Sequence, residues 1–210
     1  MIAALADSST ACTSSAKALV GTGPLLFPCC MRSPYFAQDS RSAYFVTATI
    51  VEWLPVFNST ECCNILIRAL LDAREHRSLQ VHAWVILEGH FHAILSSPDL
   101  GRALRDLKRS TGRKFMEQIQ RERRDWLAHR LAAHGAARPG AEGAVWQEGG
   151  QTVEIKSEGE MRQKREDLEL TPVRRGYVAA PEHWRYSSAH QAPPGVDPLF
   201  EVDSWKGVVA

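Results

Sequence analysis

His90 and His92 stand two residues apart in the stretch Val81–Ser96, VHAWVILEGHFHAILS. In an extended strand successive side chains alternate faces, so both imidazoles point one way while Phe91, Ala93 and Leu95 point the other. A single histidine on a strand is more often a satisfied structural residue. Two on one face of a buried strand supply half of a divalent-metal site.

Charge is the next signal. The chain has 210 residues, 44% of them hydrophobic, and a formal net charge of +1, so composition alone does not announce a nucleic-acid binder. The charge is unevenly placed. Arg102 to Arg124 holds nine Lys or Arg against three acids, whereas Gln147 to Leu170 holds seven acids against four bases. A local basic block on a balanced chain is the footprint expected where phosphate is the partner. Cys12, Cys29, Cys30, Cys62 and Cys63 have no CxxC spacing and suggest neither a zinc site nor a disulfide framework. Cys62 and Cys63 read as small hydrophobes on a helix, kept reduced in a cytoplasm.

Other elements must position the histidines. Residues 1–40 are rich in Ala, Ser, Thr, Gly and Pro without periodicity and read as a poorly ordered extension. Asp7-Ser8-Ser9-Thr10 interrupts any secretory core, and no apolar run approaches the roughly 18 residues of a membrane span. Ala43 to Trp53 reads as a strand, ended by Leu54-Pro55. A helix is predicted from Ser59 or Thr60 to His76, then a strand from Leu79 to Leu87, with Glu88-Gly89 turning the chain into the histidine strand. Asp99 to about Arg124 reads as one or two helices with a bend at Thr111-Gly112, and His129 to Gly143 as a loop. This β-α-β-β order is that of an α+β, ferredoxin-like or RRM-like antiparallel sheet with helices on one face.

The run WVILEGHFHAIL resembles the WVIMxNHxHLLL strand of the IS200-type single-tyrosine transposases, above all their REP-associated branch. Its histidine-hydrophobe-histidine signature is that of the HUH endonucleases. Ser157 to Val178, SEGEMRQKREDLELTPVRRGYV, resembles that family's EELRxKLxYIHxNPVRRGLV helix, and Pro172-Val173-Arg174-Arg175-Gly176 fixes the register. Val145-Trp146-Gln147 resembles the family's short VWQ or LWQ strand, and from Ala180, APEHWRYSSAHQA resembles its PExWxWSSY segment. The resemblance implies an IS200-type transposase fold, with a transposase domain over 41–178 and a tail over 179–210 that packs on it or engages DNA.

It also implies metal-dependent cleavage and rejoining of single-stranded hairpin DNA through a phosphotyrosine, in the bacterial cytoplasm at the nucleoid. The metal would be Mg²⁺ or Mn²⁺, held by His90, His92 and the third-ligand position, Thr171, while substrate oxygens complete the shell. DNA contacts are expected from Arg102, Arg105, Lys108, Arg109, Arg113 and Lys114, and from Arg174 and Arg175. The long tail implies a monomer, with a homodimer as the alternative.

In this register the nucleophilic tyrosine falls on Asp167, and the histidine two residues later on Glu169. A carboxylate is a poor nucleophile towards an anionic phosphodiester, so the cleavage chemistry is expected to be impaired. Tyr177, beyond Pro172, is the substitute candidate. Alternatively, Asp167 becomes a third metal ligand with Gln163 one helical turn away. Two other readings stand beside an impaired transposase: a non-catalytic hairpin-DNA-binding protein, and a hydrolytic nuclease using water.

Overall fold

The computed structural model describes residues 42–136, 145–191 and 199–205. The extension expected over 1–40 lies outside them, as do residues 137–143 of the expected loop.

Alternation builds the first strand, β1 (Ala43–Thr49). Tyr44, Val46 and Ala48 enter the main core, and Phe45, Thr47 and Thr49 take the opposite face. The strand expected to reach Trp53 stops earlier because the chain folds over the later hairpin. Ile50 N–H donates to the Gly89 carbonyl at 2.8 Å, and Val51–Trp53 form a tight turn in which Glu52 (φ 54°) and Trp53 (φ 56°) are both left-handed.

Helix α1 (Thr60–Arg77) is capped by Ser59, whose hydroxyl accepts from Cys62 N–H at 3.2 Å. Cys62 and Cys63 are buried in it as small hydrophobes, and burial pushes their thiols up to about 11 and about 12. The hairpin β2 (Gln80–Leu87) and β3 (His90–Ser96) follows.

Helix α2 (Leu100–Arg121) is continuous, and the expected bend at Thr111-Gly112 is absent. Thr111 is buried and accepts from the Trp146 indole N–H at 2.8 Å, so this site is a packing contact that straightens into the helix. Residues 129–136 of the expected loop instead belong to α3 (Asp125–Ala136), because Leu127 and Leu131, four residues apart, are fully buried. Val145-Trp146-Gln147 makes only an isolated bridge, Ile50 to Trp146, and the fourth strand is β4 (Gln151–Ile155). The Trp146 ring is already committed to the cluster of Phe57, Phe91 and Phe115.

Helix α4 (Glu158–Glu169) is capped by Ser157 and ends before Pro172, after which α5 (Thr171–Arg174) makes a single turn. Among the described residues the four strands form one antiparallel sheet in the order β2-β3-β1-β4. This is the expected α+β antiparallel sheet, but helices lie on both faces and not on one, because Leu168 of the last long helix buries against the second face. Helices α1 and α2 cover the face of Phe91, Ala93 and Leu95. Helix α4 crosses the other face, where Leu168 joins Val85, Leu87, Ile94 and Ile155.

The segment after Ala180 runs along the outer edge of β2: Ile86 N–H donates to Tyr186, Ser188 N–H to Trp84, and Asp203 N–H to Val81. These bonds satisfy an edge that would otherwise be open to pairing with other chains. No helix among the described residues is long and apolar enough to cross a membrane.

Candidate functional site

The pleat of β3 puts His90 and His92 on the face that α4 crosses, with His90 buried and His92 half-buried. Their ring centroids are 4.9 Å apart with planes at 79°. Register sets the surroundings: Thr49 and Leu87 flank His90, and Thr47 and Val85 flank His92. The His92 Nδ1 lies 2.9 Å from Thr47 Oγ1, and Phe45 stacks on the same ring at 5.5 Å. In the tautomer where Nδ1–H donates to the Thr47 hydroxyl, Nε2 carries a free lone pair. The His90 Nε2 is buried and has no hydrogen-bond partner.

Both imidazoles are held neutral. Burial, then the charges of His92 and Arg175, push His90 down to about 3. Burial, then Arg175, pushes His92 down to about 4. Neutral imidazole is the metal-binding form, and an unsatisfied buried nitrogen beside a second one fits a cation. Of Mg²⁺ and Mn²⁺, two nitrogen donors suit Mn²⁺ better. Among the described residues no third His, Cys, Asp or Glu stands with the pair.

The helix after β4 contributes unevenly. Arg175 is exposed, its guanidinium has no hydrogen-bonded or ion-pair partner among the described residues, and it stands close enough to the histidines to act on both. Lys164 lies 5.7 Å from the Phe45 ring centroid, on the same face. Asp167 is not brought to the pair: its carboxylate accepts from Arg174 at 3.0 Å, and its backbone carbonyl accepts from the Thr171 hydroxyl at 2.8 Å. Gln163 points to solvent. Tyr177 follows the left-handed Gly176 (φ 74°) and stacks on Trp184 at 5.4 Å. The Trp184 N–H donates to the Ile86 carbonyl, so that indole packs the tail onto β2. Glu169 accepts from Ser188 at 3.4 Å, and burial raises its carboxyl.

The basic side chains of α2 lie across the sheet from the histidines. Arg102, Arg105, Arg109 and Arg113 recur at helical spacing as one exposed stripe, with exposed Lys114 to one side. Asp106 interrupts the stripe and pairs with Arg77 at 2.9 Å and Arg102 at 3.9 Å. Lys108 turns away from it and donates to the carbonyl of Gly149 at 2.7 Å. Burial lowers its ammonium to about 8.

Thr47, Phe45 and Trp53 were not singled out by the sequence. Pairing a first strand AYFVTAT against HFHAILS in the observed register would have put a hydroxyl opposite His92. Trp53 reaches the His90 ring edge-to-face through a turn with no sequence signature.

The chain matches no protein-family model and no curated protein. Its fold is similar to that of a solved REP-associated tyrosine transposase bound to a REP hairpin, with a TM-score of 0.52 and 18% identity, over 81% of this chain and 90% of the other.

Proposed function

We propose that this chain is a DNA-binding protein of transposase-like fold that engages single-stranded or hairpin DNA at the histidine face and lacks the phosphotyrosine step. The observation that carries this reading is the neutral His90–His92 pair, with its unpartnered His90 Nε2 and the exposed Arg175 beside it. The solved structural neighbour is itself bound to hairpin DNA, which agrees with it.

His90 and His92 hold the divalent cation, Mn²⁺ or Mg²⁺, and Thr47 fixes the His92 ring. The cation, when bound, polarises a phosphoryl oxygen. Arg175 neutralises the phosphate from the side, as a guanidinium does well. Arg174 and the α2 residues Arg102, Arg105, Arg109, Arg113 and Lys114 add phosphate contacts farther along the nucleic acid. The Thr171 hydroxyl donates to the Asp167 carbonyl of α4, which leaves its oxygen lone pairs for a cation, whereas Gln163 is solvated and is not assigned to the ligand set.

Asp167 stands where the tyrosine is expected and is ion-paired, so no residue on that helix turn attacks phosphorus. The same pairing disfavours the hydrolytic reading, which needs a free carboxylate at the metal. The protein acts as a monomer in the bacterial cytoplasm at the nucleoid.

The test is incubation of the full chain with labelled single-stranded hairpin DNA and Mn²⁺, read on native and denaturing gels. A salt-sensitive shift with neither cleavage nor adduct is expected. A covalent adduct lost in Y177F would make Tyr177 a working nucleophile, and cleavage without an adduct would restore the nuclease reading. No shift at low salt overturns the DNA assignment.

A further inference from the structure

Trp53 is 58% exposed, yet it is not loosely placed. Its ring lies edge-to-face with His90, with centroids 4.8 Å apart and planes at 69°. The backbone that holds it is unusual, because Glu52 and Trp53 are consecutive left-handed residues with side chains. Such conformations persist only where the surroundings impose them.

Here the surroundings are visible. Ile50 N–H bonds the Gly89 carbonyl at 2.8 Å, Val51 N–H bonds the Val145 carbonyl at 3.0 Å, and Glu52 is ion-paired to Arg130 of α3. Gly89 leaves room for nothing else, since a Cβ there would lie 2.5 Å from the Trp53 carbonyl oxygen. The fold therefore fixes a large aromatic ring, mostly in water, at the edge of the histidine pair. Simple core packing does not account for this, because the core is closed without the indole: Ile50, Val51 and Leu54 on either side are buried.

We propose that Trp53 is a stacking platform for an unpaired base flanking the phosphate that binds at His90, His92 and Arg175. The inference rests on the DNA reading above and specifies its substrate: a strand with an unpaired nucleotide at this site, not a blunt duplex. Indole stacking tolerates any base, so Trp53 selects single-stranded character without selecting sequence. The neighbouring guanidinium and cation supply charge for the backbone, while the indole supplies the apolar contact that phosphate binding lacks.

The experiment compares the full-length protein with W53L and W53F, using two hairpins of the same stem, one blunt and one carrying a single-stranded flank with 2-aminopurine. W53L is expected to bind the flanked hairpin about tenfold more weakly, the lower part of the range for one stacked base, and to lose most of the 2-aminopurine quenching. Its affinity for the blunt hairpin should stay unchanged. W53F, which keeps an aromatic face, should retain the quenching and most of the affinity. Melting temperature and circular dichroism of both variants check that the turn still folds. Equal binding of the flanked hairpin by W53L and the wild type overturns the inference alone, as does equal weakening on both hairpins. Failure of the wild type to bind either hairpin overturns the DNA reading and this inference with it.

Discussion

The Thr47 hydroxyl on β1 and the His92 Nδ1 on β3 lie 2.9 Å apart, directly paired in the sheet register. The contact sets both the angle of the His92 ring and which of its nitrogens is left for a ligand. Such partners typically contribute a factor of about 10–100 in metal affinity. T47V, which keeps the β-branched shape and removes the hydroxyl, should weaken Mn²⁺ binding about tenfold without changing the circular dichroism. Titration calorimetry with Mn²⁺ reads the effect, and an unchanged affinity would show that the Thr47 hydroxyl does not set the His92 ring for a metal.

Arg175 separates metal binding from DNA binding. Its positive charge opposes protonation of both histidines, and it equally opposes a cation held there. R175A should bind Mn²⁺ no more weakly than the wild type in the absence of DNA. Its affinity for single-stranded hairpin DNA should fall several-fold, and the slope of log K against log salt should shrink by about 0.7, one phosphate contact on a single strand. R174A should also weaken DNA binding, and its stability loss should stay under about 1 kcal/mol because the Asp167 pair is largely solvated.

Gly89 controls the strained turn over the site. G89A places a methyl 2.5 Å from the Trp53 carbonyl oxygen, a backbone atom that can move only with the whole Val51–Trp53 turn. The variant should lose about 1–3 kcal/mol of stability. Urea denaturation measures this, and the near-ultraviolet circular dichroism should change as Trp53 leaves His90. A variant as stable as the wild type would mean the turn is not held against this hairpin.

The buried histidines make folding acid-sensitive. His90 and His92 sit near 3 and 4 in the fold, and burial also lowers His82, against an ordinary value of 6.5. Between those folded values and pH 6.5 the unfolded chain binds more protons than the folded one, so stability rises with pH across that window. Stability is therefore fully present above pH 6.5 and is lost as the pH falls towards 4. Unfolding free energies from urea denaturation in EDTA should drop steeply below pH 6.5, by at most about 1.4 kcal/mol per pH unit for each histidine. H90Q should flatten the profile, and a wild-type profile already flat from pH 7 to 4 would show that the rings are not buried neutral.

Local pattern determined much of this protein. Alternation along HFHAILS put both histidines on one face, the Ser59 cap started α1, and Pro172 ended the helix before it, because each depends only on near neighbours and on side-chain period. The resemblance of the strand and of Pro172 to Gly176 pointed to the fold that the sheet order later displayed. Where the pattern was thin, local reading failed. α3 rests on just two leucines among alanines, and Thr111-Gly112 reads as a bend in sequence because the Trp146 indole that buries the Thr111 hydroxyl comes from a distant segment.

The surroundings of the histidines were decided only in three dimensions. Thr47 reaches His92 from 45 residues away, Trp53 reaches His90 through a left-handed turn, and Arg175 arrives from the far end of α5. Lys108, one of a basic series along the chain, is turned inward onto a backbone carbonyl while its neighbours stay in water. Side-chain type and spacing fix what chemistry a residue can do. Its partners, burial and charge environment depend on contacts between distant segments, which form only when the sheet closes.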